Sequence, residues 1–343
     1  MTRAGTTSGA RYSIALCLLA AALTGALIGV ALTATAPIPG VTDVSEVVSA
    51  AIGVTRVLLN LAAVATVGLS LLPVLIAAEA TGRGGRVEPV LLQARRAALV
   101  SALVWSMTAL VMLILQTAEF RPQATAIGPR DLWDYVVTVG AGKALLIVAG
   151  LALAHAALGA FALRRGERVP AELRVGLGLF ALLPLPVTGH ASNWAFRDYT
   201  MISIELHVMS AVTWTGGLAA MAVLLVGNRT LLASALPRFS VLATVCLALT
   251  ALTGLFNGVV EILLNPKVTL FAGLFGTPYG LLVLLKVACV LTIALIGAHI
   301  RWRLLPRIVR HQRTALATWA SLEVTSMGLA FGFAAVLTRA PVS

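Results

Sequence analysis

Charge is what this sequence has least of. Only 11% of its 343 residues are Asp, Glu, Lys or Arg, where a soluble domain carries about 25%. That deficit leaves too little polar surface to face water, so lipid must solvate much of the exterior. Cysteine is also sparse. Cys17, Cys246 and Cys289 lie in separate apolar runs with no C-x-x-C, which excludes a disulfide framework and a cysteine metal site. They read as small buried apolar side chains. Solenoid repeats and low-complexity tracts are missing, and the gaps between apolar runs are too short for a separate soluble domain. Acidic residues number 13 against 25 Lys+Arg, for a net charge of +12. In a soluble chain such an excess would suggest nucleic acid. Here the basic residues cluster in short gaps between apolar runs, the pattern of cytoplasmic loops, so no nucleic-acid partner is expected.

What the chain does have is apolar length. Hydrophobic residues make up 59% and the mean hydropathy is +0.97. A bilayer core of about 30 Å takes about 20 residues of helix. On that measure the sequence predicts an all-α, polytopic transmembrane helical bundle of nine spans, near 12–35, 47–78, 97–117, 137–163, 173–189, 203–226, 239–264, 278–300 and 315–338. The first follows Arg3 and Arg11 and ends in Ala34-Thr35-Ala36, a signal-peptidase-like pattern. Its apolar run is about twice the usual signal core of about 7–15 residues, so a retained helix is expected; cleavage would leave eight spans. With nine, 17 Lys and Arg fall on the side of the N-terminus and five on the other. The positive-inside rule then puts the N-terminus in the cytoplasm and the C-terminus outside.

Ionisable groups inside spans are expensive and mark function by default. Most lie toward the outer ends of their spans: Arg56 and Asn60, Gln116 and Glu119, Lys143, Glu205 and His207, Asn257 and Glu261, and Lys286. Together they suggest a polar vestibule opening outward. Snorkelling accounts for Glu119 and Glu261, but less well for Arg56 and Lys286, which have apolar sequence on both sides. His190 and His207 bracket the outer loop between the fifth and sixth spans, with Met201 between them and Met209 just after. Imidazole and thioether suit copper, thioether favouring Cu(I). On a helix Glu205 and Met209 are i,i+4 neighbours while His207 projects about 160° away. A metal site would therefore need His190 or Met201 from outside that face; hydrogen-bonded interfacial histidines are the plainer alternative. His155, deeper in the fourth span, reads as a helix–helix hydrogen-bonding group or a haem ligand. His299 and His311 read as part of a solvated basic loop, and Met107, Met112, Met221 and Met327 as packing residues.

The run Thr188-Gly-His-Ala191 followed by His207-Val-Met-Ser-Ala-Val-Thr-Trp214-Thr-Gly216-Gly217-Leu218 resembles the copper-resistance protein D (CopD) family. So do Leu252-Thr-Gly254, Thr277-Pro-Tyr-Gly280 leading to Lys286, and a last span with Glu323 after an arginine-rich loop. The resemblance covers about residues 135–343, and His299 departs from the polar amide more usual there. Residues 1–130 match the family poorly and resemble the extra N-terminal spans of actinobacterial proteins in which this domain is fused to a CtaG-like oxidase-assembly domain. The chain thus divides into N-terminal spans (1–130) and a CopD-like domain (131–343) in one continuous bundle.

The resemblance implies copper handling without enzymatic turnover at a bacterial inner membrane, by transport or delivery. The implied metal residues are His190, His207, Met201 and Met209, with a polar path past Glu205, Glu261, Arg56, Trp214, Lys286 and Glu323. Gly216 and Gly217 would permit close helix approach, Trp214 would wall the vestibule, and Tyr279-Gly280 would help place Lys286. The implied partners are lipid and a periplasmic copper chaperone or oxidase-assembly factor. A b-type haem electron carrier using His155 and His207 is the competing reading, and an assembly partner that delivers copper without conducting it is a third.

Overall fold

The computed structural model describes residues 4–33, 46–76, 87–124, 126–165, 169–189, 197–264, 269–310, 312 and 314–338. The described residues are almost wholly helical and include no strand. The helices are α1 (Ala4–Thr33), α2 (Glu46–Ile76), α3 (Glu88–Phe120), α4 (Pro129–Thr138), α5 (Gly140–Arg165), α6 (Ala171–Phe180), α7 (Arg197–Leu224), α8 (Arg229–Leu263), α9 (Leu270–Gly276), α10 (Pro278–His299), α11 (Leu305–Val309) and α12 (Leu316–Leu337). A 3-10 turn at Leu185–Thr188 extends the α6 segment, and a π-helical stretch, Ile300–Leu304, joins α10 to α11. Among the described residues nine helical segments are long and apolar enough to cross a bilayer, one for each expected span. Their ends differ where charge adjoins the apolar run: α3 starts at Glu88 rather than near 97, and the α10 segment runs on to Val309.

Local chemistry explains several of these limits. Thr277 caps α10 by accepting from the Gly280 amide at 3.0 Å, and Pro278 occupies the first turn, where its missing N–H costs nothing. The Thr-Pro-Tyr-Gly run is thus a helix start, and Gly280 is small because a side chain there would strike the Gly273 carbonyl of α9. Farther on, Pro306 has no N–H to give to the preceding turn, and the helix widens into its π stretch just before it. Arg95 lies inside α3, buried and ion-paired to the exposed Glu88 at 2.9 Å.

With no hydrophobic drive between helices in lipid, close packing of small residues holds such a bundle together. α2 and α7 meet backbone to backbone: a Cβ on Gly216 would lie 2.3 Å from the Val64 carbonyl oxygen, and one on Gly68 would lie 2.1 Å from Gly216. The expected close approach at Gly216 is therefore present, and at Gly217 it is the Phe239 ring that fills the space. The first and last helices form a second seam. Gly25 and Gly29 of α1 run parallel to Gly328 and Gly332 of α12, where an added Cβ would come within 2.2–3.0 Å of the partner helix. Both pairs have G-x-x-x-G spacing. Among the described residues four apolar clusters result, two of them large and one of those toward each end of the bundle. The first includes Leu72, Leu225, Trp214 and Met327; the second includes Trp105, Met112, Leu145 and Leu182. α8 and α10 bury the least of their surface and border lipid. The cysteines divide, since Cys246 is buried but Cys17 is exposed on α1, correcting the expectation that all are interior. Met107 is likewise exposed rather than packed inside.

Candidate functional site

We call the end of the bundle where the arginine-rich segments gather the basic end, and the other the opposite end. The polar groups collect along a seam where α7 faces α8, with α10 alongside. On α7 the residues on this face are Ser203, His207, Ser210 and Trp214, at spacings of four, three and four. On α8 they are Thr250, Thr253, Asn257 and Glu261, at three, four and four. Ser210 and Thr250 join hydroxyl to hydroxyl at 2.9 Å. The His207 ring lies against Gly254, where a Cβ would come within 2.9 Å of Cε1, so glycine makes room for the imidazole.

The His207 ring hydrogen-bonds across the seam. Nδ1 lies 3.1 Å from Thr253 Oγ1. The Thr253 hydroxyl already donates its one hydrogen to the Leu249 carbonyl at 2.5 Å, so toward His207 it can only accept. With the Thr253 hydrogen placed there, Nδ1 would carry the proton and leave the lone pair on Nε2. An imidazole fixed in this way by the hydrogen bond of its other nitrogen is the usual condition of a metal-ligating histidine. Three further atoms of the seam region, Ser203 Oγ, Trp214 Nε1 and Asn257 Oδ1, are buried with no hydrogen-bond partner among the described residues. Each such atom costs about 1–3 kcal/mol, so a run of them calls for an explanation beyond packing.

The other expected site residues are distributed around this seam. Met201, Glu205 and Met209 form an i,i+4 row on a different face of α7, and Met209 packs into the apolar core shared by α2, α3 and α5. The structure therefore does not bring the two methionines onto the face of His207. His190 lies outside the described residues. Just before it, Arg56 holds the segment by donating to Thr188 Oγ1 at 2.5 Å and to the Thr188 carbonyl at 3.3 Å. Lys286 of α10 is near enough to His207 for its charge to be felt at the ring and makes no ion pair among the described residues. Glu261 is near enough to the Tyr279 hydroxyl for its charge to be felt there. Trp214 is buried in the apolar core and does not wall an open vestibule. Glu323 is buried, nearer the basic end, facing Gly297 of α10. No cluster of three or more His, Cys, Asp or Glu suited to a metal occurs among the described residues.

His155 belongs to a separate buried group. Its Nε2 lies 3.2 Å from Ser70 Oγ, with Arg174 of α6 alongside and Gly178 against the ring. It faces α2 and α6 whereas His207 faces α8, so the two do not converge as a haem pair would. His299 ends α10 and stacks on Trp319 with centroids 4.1 Å apart, which corrects its reading as a solvated loop residue. His311 lies outside the described residues.

Residues 44–195 match the family described as copper resistance protein D-like, N-terminal domain, and residues 233–337 match copper resistance protein D. Together the two matches span about three quarters of the chain. The chain belongs to the copper resistance protein D family. Neither a curated protein nor a solved structure matches it significantly. As a copper resistance protein D relative it is a copper-resistance-related, multi-pass membrane protein. The likeness reaches back to residue 44, well before residue 135, which corrects the expectation that residues 1–130 match the family poorly. Arg56 and His190 fall in the N-terminal match, and Thr253, Lys286 and Glu323 in the C-terminal one. α7, with His207, joins the two matched segments.

Sequence reasoning missed the seam partners of His207, above all Thr253 and Gly254, which lie some 46 residues farther along the chain. It also missed the glycine seam between α1 and α12. Its G-x-x-x-G spacing was the available signal, though nothing local said that the two ends of the chain would pair.

Proposed function

We propose that this protein binds copper ions at the extracytoplasmic side of the bacterial inner membrane and passes them into the helical bundle, without enzymatic turnover. In this reading the basic end is cytoplasmic, in line with the positive-inside rule, so His207 lies in the outer half. The observation that carries the proposal is the placement of His207 on the α7–α8 seam, with Nδ1 3.1 Å from Thr253 Oγ1, a partner that would leave the Nε2 lone pair for a ligand. Imidazole nitrogen is an apt donor for copper. His190, two residues beyond the Thr188 held by Arg56, is the second donor. The unpartnered atoms Ser203 Oγ and Asn257 Oδ1 along the seam give a passing hydrated ion something to exchange its water for. Lys286 opposes cation entry electrostatically and sets how tightly the ion is held. A periplasmic copper chaperone would deliver the ion, and an oxidase-assembly factor is an alternative recipient.

The test is copper binding by the purified full chain in detergent, with His190→Ala and His207→Ala variants that retain the parental melting temperature. Each should weaken binding at least tenfold. Unchanged stoichiometry and affinity in both would remove the site. Copper uptake by proteoliposomes then separates a conduit from a protein that only hands the metal on.

A further inference from the structure

Nearer the basic end, the same seam leads to a partly open chamber. His207, Trp214 and Met221 follow one another at intervals of seven along α7. A helix turns about 20° short of two full circles in each such step, so the three lie on one slowly drifting face. Met221 is about 21 Å along the axis from His207 at 1.5 Å per residue. There it lines a cavity of about 50 Å³ together with Glu323 of α12, Ser240 of α8, and Gly297 and Arg301 of the α10 segment. On the same measure one water needs about 10–15 Å³, so the chamber has room for a small ion and a water. Its remaining walls are aliphatic or aromatic, Leu218, Leu236 and Phe239 among them.

Glu323 is the feature that packing does not explain. It is 4% exposed and has no hydrogen-bond or ion-pair partner among the described residues. The one charged neighbour in the chamber wall, Arg301, is turned away. Its Nη1 donates to the Thr244 hydroxyl and, at 3.3 Å, to the Ser240 carbonyl, both on α8. Arg301 and Ile300 reach the chamber from the π-helical stretch, a rare backbone form that recurs at functional sites. A carboxyl group buried in a membrane bundle without a partner is costly enough to be read as functional.

We infer that Glu323 and Met221 form a second, inward station for the copper ion, distinct from the one at His207. The donor set selects the ion. One carboxylate and one hydroxyl are too few oxygens for Ca²⁺ or Mg²⁺, which take six or more. The Met221 thioether suits a soft ion content with few ligands, as Cu(I) is, and the Glu323 carboxylate lining the same cavity would balance its charge. Trp214 stands between the two stations on the same helix face and separates them with an apolar plug. The assignment of copper as occupant rests on the function proposed above; the chamber and its unpartnered carboxyl do not.

The test titrates the full chain in detergent with Cu(I), anaerobically, against a chromogenic chelator of known affinity. The parent should bind two ions. Glu323→Gln and Met221→Leu, each close to isosteric, should each lose one equivalent or weaken it at least tenfold, while His207→Ala removes the other. In the His207→Ala background, X-ray absorption at the copper edge should show a sulfur neighbour that disappears with Met221→Leu. If Glu323→Gln fails to fold, Met221→Leu alone decides. Unchanged stoichiometry, affinity and copper environment in the chamber variants would overturn the inward station and leave the outer one standing. Loss in the chamber variants with none in His207→Ala would do the reverse. A parent that binds no Cu(I) would sink both.

Discussion

Thr253→Val is a sharp probe of the seam because it deletes one hydroxyl and leaves the shape. In the parent, Thr253 Oγ1 accepts from His207 Nδ1 at 3.1 Å and passes its own hydrogen to the Leu249 carbonyl. Valine can do neither. The Leu249 carbonyl is still served by the helix ladder, so that loss is small. The loss at Nδ1 is larger, because the proton is no longer directed there and the ring is no longer held in one orientation. Removing such an outer partner of a metal-ligating histidine typically costs 10–100-fold in affinity, or about 1.4–2.7 kcal/mol. The assay is anaerobic Cu(I) competition on the purified chain, read beside Thr253→Ser, which keeps the acceptor and should stay within about threefold of the parent. If Thr253→Val binds copper as the parent does while His207→Ala does not, the tautomer argument is wrong. If both variants match the parent, His207 is not a ligand.

Three other outcomes follow from the same geometry. Lys286→Met should tighten Cu(I) binding at His207 by about tenfold or more, since two unit charges repel by about 4 kcal/mol at 4 Å and an effective dielectric of about 20, and by less farther apart; weaker or unchanged binding would show that Lys286 does not face the ion. Arg56→Ala removes two charge-assisted hydrogen bonds to Thr188, each of about 1.5–3 kcal/mol, so both the melting temperature and copper affinity should fall; a fall in melting temperature alone would detach the 188–190 segment from metal binding. Gly216→Ala drives a Cβ to 2.3 Å from the Val64 carbonyl and should destabilise by about 1–3 kcal/mol, whereas Gly150→Ala meets nothing within 4 Å and should be neutral or stabilising by up to about 1 kcal/mol; equal thermal shifts would refute the close α2–α7 contact.

The nine spans were legible in the sequence because a bilayer imposes a local test. A segment either has about 20 apolar residues in a row or it does not, and no distant partner can alter the count. Helix starts such as Thr277-Pro278 were legible as motifs for the same reason, since a cap and its amide lie three residues apart. The rough depth of each polar residue followed from its place in its span. What the sequence could not supply was the direction in which each residue faces, because a helix presents every side and only its neighbours choose among them. His207, Met201 and Met209 share one helix, and tertiary packing sends His207 to α8 and Met209 to the core. Glu323 and Met221 are about a hundred residues apart, and only the folded bundle brings them to the wall of one chamber. α1 and α12 come from opposite ends of the chain, and close packing of backbones, which no single helix can perform alone, makes them neighbours.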